Sequence, residues 1–125
     1  MFLLSSDLGG GKTTFVKGLA GGIGYEGVVT SPTFMVSRVY KGKKLELHHF
    51  DFYRLDDGGI VGMELAELLD DPNAITAVEW GDVVKNVLPM DYVLVKLERV
   101  KDGENDRNIT IQVPEKFVYL LEGIE

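Results

Sequence analysis

No cysteine occurs anywhere in the 125 residues, which excludes thiol nucleophiles, disulfides and thiolate-held zinc and suits a reducing compartment. No apolar run reaches the roughly 20 residues that a membrane-spanning helix needs. The opening Met1-Phe2-Leu3-Leu4 is too short for a secretory signal, so a cytoplasmic location without a membrane partner is expected. Positive charge is scarce: 13 Lys and Arg stand against 20 Asp and Glu, a formal net charge of −7. Such a surface repels phosphate backbones, and tight direct binding of tRNA or DNA is not expected of it. The one basic cluster, Lys41, Lys43 and Lys44, reads as the solvated tip of a hairpin. What remains is an ordinary globular composition, 45% hydrophobic and 26% charged. The length is that of one domain, 1–125, able to bury about two-thirds of its unfolded surface.

Elements alternate along the chain. Phe2 to Ser5 reads as a short buried strand, followed by a glycine-rich loop and a helix from about Lys12 to Ala20 that Gly21-Gly22 would stop. Thr33 to Tyr40 and Leu45 to Phe52 read as two strands of an antiparallel hairpin across Lys41-Gly42-Lys43-Lys44. Ile60, Met63, Leu65, Ala66, Leu68 and Leu69 give a helix an apolar face, closed by Asp70-Asp71-Pro72-Asn73. Ala74 to Val78 is an apolar run ending in Glu79 and reads as a strand. Tyr92 to Val100 and Asn108 to Val113 form a second hairpin, and Glu115 to Leu121 a terminal helix.

The strongest chemical signal is Ser6-Asp7-Leu8-Gly9-Gly10-Gly11-Lys12-Thr13-Thr14, set between a strand and a helix as a phosphate-binding loop requires. Glycines let consecutive N–H groups turn inward toward phosphate oxygens, and the helix that follows adds the positive end of its dipole. Lys12 would reach the β- and γ-phosphates, and the Thr13 hydroxyl would sit on a Mg²⁺ bridging them. The consensus G-x-x-x-x-G-K-[ST] has glycine where this chain has Ser6, so the first position departs from it.

Hydrolysis also asks for carboxylates. Glu79 ends an apolar strand as the metal-side acid of a nucleotide hydrolase does; without the glycine loop it would read as a solvated strand end. In His48-His49-Phe50-Asp51-Phe52-Tyr53-Arg54, strand alternation puts His49, Asp51 and Tyr53 on one polar face and Phe50 and Phe52 on an apolar one. Asp51 could position an attacking water or hold a metal-bound one; equally, it could be a buried carboxylate satisfied by Arg54 or a nearby backbone. A transition-metal site built from His48, His49 and Asp51 is the weaker reading, since one histidine alone shares the face of Asp51.

Four blocks together resemble the TsaE (YjeE) family of bacterial ATPases. They are Asp7-Leu8-Gly9-Gly10-Gly11-Lys12-Thr13-Thr14-Phe15, Ser31-Pro32-Thr33-Phe34, His49-Phe50-Asp51-Phe52-Tyr53-Arg54-Leu55 and Val78-Glu79-Trp80, in the family's order. The resemblance extends from about residue 3 to residue 89. It implies an ATP-binding, Mg²⁺-dependent ATPase that works with the TsaB and TsaD proteins to make threonylcarbamoyladenosine on tRNA, meeting tRNA only through that complex. By carry-over, residues 7 to 14 hold the phosphates, Thr13 and Glu79 serve Mg²⁺, and Asp51 and Lys12 act in hydrolysis. Thr33 belongs to a switch-like loop near the nucleotide, Trp80 packs near it, and Arg107 contacts it from the late part of the chain. The family usually carries a further segment ahead of the phosphate-loop strand that contacts the base, and base preference is therefore open here.

The expected fold is α/β: a P-loop NTPase-like domain with a mixed sheet flanked by helices, its central strands parallel and its hairpins extending one side. Turnover by the protein alone should be slow, since no arginine finger is recognisable. Two other functions stay open: a non-hydrolysing nucleotide sensor, and a small P-loop kinase, for whose lid and acceptor pocket the chain leaves little room.

Overall fold

The computed structural model describes residues 1–6, 11–29, 37–51, 59–79, 91–100 and 107–122, with the backbone alone at 6, 59–62, 99 and 107. Its strands are β1 (Phe2–Ser6), β2 (Ser37–Lys41), β3 (Glu46–Asp51), β4 (Ala74–Glu79), β5 (Val93–Arg99) and β6 (Arg107–Gln112). The helices are α1 (Lys12–Gly22), α2 (Gly59–Leu68) and a terminal 3₁₀ helix over Glu115–Leu121. All six strands form one sheet in the order β2-β3-β4-β1-β5-β6. The ladders β3–β4, β4–β1 and β1–β5 are parallel, while β2–β3 and β5–β6 are antiparallel. The mixed α/β sheet is as expected, but one hairpin extends each edge rather than both extending one side.

β1 and β4 have parallel neighbours on both flanks, which is why their sequences read as short continuous apolar runs rather than alternating ones. β5 alternates instead, with Val93, Val95 and Leu97 buried and Lys96 and Glu98 exposed. The face that packs on α1 gathers Leu4, Leu47, Ala77, Val93, Val95 and Leu97 around Val16 and Ala20 of the helix. Phe50 and its register partner Val78, on the opposite face, are also fully buried, together with Leu65 of α2, which packs against β4. Met63, expected on the apolar face of α2, is 67% exposed.

α1 runs through Gly21 and Gly22 rather than stopping at them. The stop comes two residues later, because Gly24 supplies the left-handed backbone, φ 93°, that closes the helix. Gly24 N–H donates to Gly21 O (3.1 Å) and Tyr25 N–H to Ala20 O (3.0 Å), the paired bonds of a Schellman ending. The β2–β3 turn then docks on this end, with Lys43 N–H donating to Ile23 O at 3.0 Å. The contact is close enough that a Cβ on Gly42 would lie 2.1 Å from that same carbonyl oxygen. The lysine side chains of the turn are exposed, as expected of a hairpin tip, yet its backbone is part of the helix cap. Strand residues expected at 33–36 and 52 lie outside the described residues.

Candidate functional site

A parallel strand followed directly by a loop and a helix sends the helix back over the sheet with its first turn at the strand's carboxyl end, where open α/β sheets bind ligands. Here β1 ends at Ser6 and α1 starts at Lys12. Gly11, at the N-cap, has φ 105°, a left-handed conformation that glycine adopts without steric cost, and no side chain caps the helix. Thr13 and Thr14 are exposed in the first turn. Ser6 pairs with Leu97 as the last rung of the β1–β5 ladder. A ladder position is extended backbone open to any residue, so the departure from glycine at this point of the motif needs no special conformation.

The carboxyl ends of β3 and β4 lie beside this helix start. The parallel register sets Asp51 directly across from Glu79, and Glu79 across from Leu4 of β1. His49, two residues before Asp51, shares its face as alternation requires. That polar face is not solvent-facing: His49 is 0% exposed, as deeply buried as Phe50 on the other side of β3. The Glu79 carboxylate finds its partners inside the protein. Lys12 Nζ lies 3.3 Å from Glu79 Oε1, and His49 Nε2 lies 2.5 Å from Glu79 Oε2, so each carboxylate oxygen has its own donor. Burial pushes the Glu79 carboxyl upward, but the hydrogen bond and charge of His49 and those of Lys12 outweigh it. The net result holds the carboxyl below its usual 4.5. Glu79 is therefore an ionised carboxylate at neutral pH inside the protein. His49 Nδ1 has no hydrogen-bond partner among the described residues.

The structure thus brings Lys12, Glu79 and Asp51 to one place, with Gly11, Thr13 and Thr14 at the adjoining helix start. His48 turns the other way, 3.2 Å from Glu46 Oε2, so His48 and His49 cannot share a metal with Asp51. No group of three His, Cys, Asp or Glu side chains forms a metal cage among the described residues. Arg107 opens β6 opposite Arg99 in register, within the strand rather than in the turn, and its side chain is not described. Asp7, Leu8, Gly9, Gly10, Thr33 and Trp80 lie outside the described residues. His49 is the residue that sequence reasoning undervalued. The signal was its spacing of two from Asp51, and what hid its role was that burial against Glu79 depends on a strand far away in sequence.

In sequence and in fold the chain is similar to known proteins. The family model described as "Threonylcarbamoyl adenosine biosynthesis protein TsaE" matches residues 1–109. The TsaE protein of Bacillus subtilis is 36% identical over 107 residues, covering 86% of this chain and 65% of that protein. The Streptomyces coelicolor TsaE protein is 37% identical over 116 residues (89% and 78%), and that of Treponema pallidum 39% over 112 residues (87% and 78%). This chain therefore spans about two-thirds to four-fifths of those relatives' lengths. The crystal structure of Bacillus subtilis YdiB is similar with a TM-score of 0.75 and 31% identity, over 97% of this chain and 73% of that one. No helix among the described residues is long and apolar enough to cross a membrane.

Proposed function

This chain belongs to the TsaE family, whose members act in threonylcarbamoyladenosine biosynthesis, and from that premise we propose that it binds ATP with Mg²⁺ and hydrolyses it. The observation that carries this reading is the convergence of Lys12, from the first turn after a glycine loop, on Glu79 at the tip of a central parallel strand. A lysine and a buried carboxylate held together at a helix start are the two charges a phosphate–metal complex would separate. Lys12 would pair with the γ-phosphate, and Glu79 would hold the cation.

The donor set fits Mg²⁺. The Thr13 hydroxyl and the Glu79 carboxylate are hard oxygen ligands, and Mg²⁺ keeps several waters and completes its shell with phosphate oxygens rather than with a protein cage. When bound, Mg²⁺ neutralises charge on the β- and γ-phosphates. Residues 7 to 14, Asp7 through Thr14, would hold the phosphates, with the positive dipole end of α1 aiding them. Lys12 stabilises the charge that builds on the γ-phosphate oxygens as the bond to the leaving group breaks. Asp51, across from Glu79, orients the water that attacks in line. By the family resemblance, Thr33 of a switch-like loop, Trp80 and Arg107 would be further nucleotide contacts.

In this reading the protein is the ATPase of a tRNA-modifying assembly with TsaB and TsaD. It meets tRNA only through them, as the net charge of −7 favours. Turnover is slow in isolation and rises when a partner orders the switch loop or supplies a cation. The test is Mg²⁺-dependent phosphate release from ATP and GTP, by the protein alone and with TsaB and TsaD added. ATP-selective release that rises with the partners is expected. Mg²⁺-dependent nucleotide binding without release under any condition would instead make the protein a sensor, and transfer to a small-molecule acceptor would make it a kinase.

A further inference from the structure

Glu79 has two donors, and they differ in how they are held. Lys12 reaches Oε1 with a flexible side chain from the helix start. His49 reaches Oε2 from inside β3, is 0% exposed, and is fixed by the parallel β3–β4 ladder that also carries Glu79. The two residues of the His49 pair therefore ride on neighbouring strands of one rigid sheet, whereas the Lys12 pair bridges the sheet and the helix. A ligand that draws Lys12 toward phosphate frees Oε1 and leaves Oε2 held.

We propose that His49 is a positioning residue: its Nε2–H holds Glu79 Oε2, so that Oε1 is the carboxylate oxygen presented to the Mg²⁺–nucleotide complex when Lys12 leaves it. This rests on the ATP reading above. Three features of the site favour it over a packing role. A buried imidazole that only filled space would cost the desolvation of its nitrogens for nothing, and one of them, Nδ1, has no compensation among the described residues. The other is committed to the carboxylate, as donors behind metal-ligating groups commonly are. Moreover, His49 shares its strand face with Asp51, so one strand would supply both the support for the metal-side acid and the group that orients water.

The test uses three variants of the full chain. H49Q retains an N–H donor at about the reach of Nε2; H49N has a donor one methylene shorter, which falls short of Glu79; H49L has none. Mn²⁺ is titrated, by electron paramagnetic resonance, into each protein with a non-hydrolysable ATP analogue, and thermal unfolding is recorded alongside. H49L and H49N should weaken Mn²⁺ binding about 10- to 100-fold, the usual effect of removing an outer-shell partner. H49Q should stay within about threefold of the parent, since it preserves the bond. Analogue affinity measured without metal should be the same in all four proteins. Equal metal affinity in H49N and H49Q overturns the proposal, as does a loss in all variants that merely follows their melting temperatures. If H49L does not fold, the H49N–H49Q pair decides alone. Were the parent itself to bind the analogue with no dependence on Mn²⁺, the ATP–Mg²⁺ reading would fall, a result distinct from failure of the His49 assignment.

Discussion

The two ends of α1 carry the two positive-φ glycines of the described residues, Gly11 at φ 105° and Gly24 at φ 93°, and they use them for opposite purposes. At the C-terminal end every device closes the backbone on itself: the Schellman bonds to Ala20 and Gly21, the Lys43 N–H on Ile23 O, and the edge-to-face packing of Tyr25 on Tyr40 at 5.0 Å. At the N-terminal end no side chain caps the helix, and beside it a lysine and a carboxylate hold each other. One end is finished by the protein; in the proposed reading a phosphate anion would finish the other. A glycine's backbone freedom therefore says nothing about function until the destination of the surrounding N–H and C=O groups is known.

The comparison breaks most visibly at Lys12. Replacing it with Ala should weaken ATP binding or phosphate release by about a hundredfold or more, because nothing else in the described site supplies a cation to the phosphates. Parent and K12A titrations with ATP, read by fluorescence or calorimetry, check this. At the other end, Gly42→Ala should lower stability by about 1–3 kcal/mol, since the new Cβ meets a backbone oxygen that has to shift. Denaturant unfolding should show that loss while ATP affinity at the folded protein stays unchanged. The matched pair Gly11→Ala and Gly24→Ala sharpens the contrast further. Each forces a side chain into the left-handed region at a cost of about 1–2 kcal/mol, and at Gly24 the closest new neighbour is the flexible Lys43 side chain. Both variants should melt earlier by similar amounts, but G11A alone should lose nucleotide binding.

A smaller effect follows from pH. The folded carboxyl of Glu79 lies below its usual 4.5, so the stability it contributes is fully present above that value. It fades as pH falls through 4.5 toward the lower folded value. Denaturation midpoints from about pH 6 down to about pH 3 should fall more steeply for the parent than for Glu79→Gln; parallel curves would show that the Lys12 and His49 pairs add no net stability. The smallest effect is expected at Ser6→Gly. Because this residue is a ladder rung beside Leu97, restoring the consensus glycine should change ATP affinity by less than about threefold, with a slight loss of stability from the freer unfolded chain.

These cases show which parts of the molecule were legible. Gly9 to Thr14 could be read locally as a candidate phosphate loop, because such a loop is made of consecutive residues. The run Ala74–Glu79 read as a buried strand because both its flanks are paired, and that leaves an apolar imprint in the sequence itself. What could not be read is whatever depends on which strand lies beside which. The hairpin of β5 and β6 sits across β1 from the hairpin of β2 and β3, a choice made by long-range pairing that no local pattern encodes. The same holds for His49. Alternation placed it beside Asp51, but its burial and its bond to Glu79 exist only because β3 and β4 pair in that register. Helix length failed for a different reason: Gly21 and Gly22 are poor helix residues, but only Gly24 has the conformation that ends the helix.

The order of strands also bears on how the site comes into being. Each edge hairpin joins segments close in the chain, whereas the central ladders join β1 to β4 and β5, most of the sequence away. Closing such long loops costs entropy before any contact repays it, so the hairpins are expected to form before the parallel core. Lys12 and Glu79 come from opposite sides of that last closure. In the proposed reading, a nucleotide that needs both would recognise the finished fold and draw the population toward it as its concentration rises.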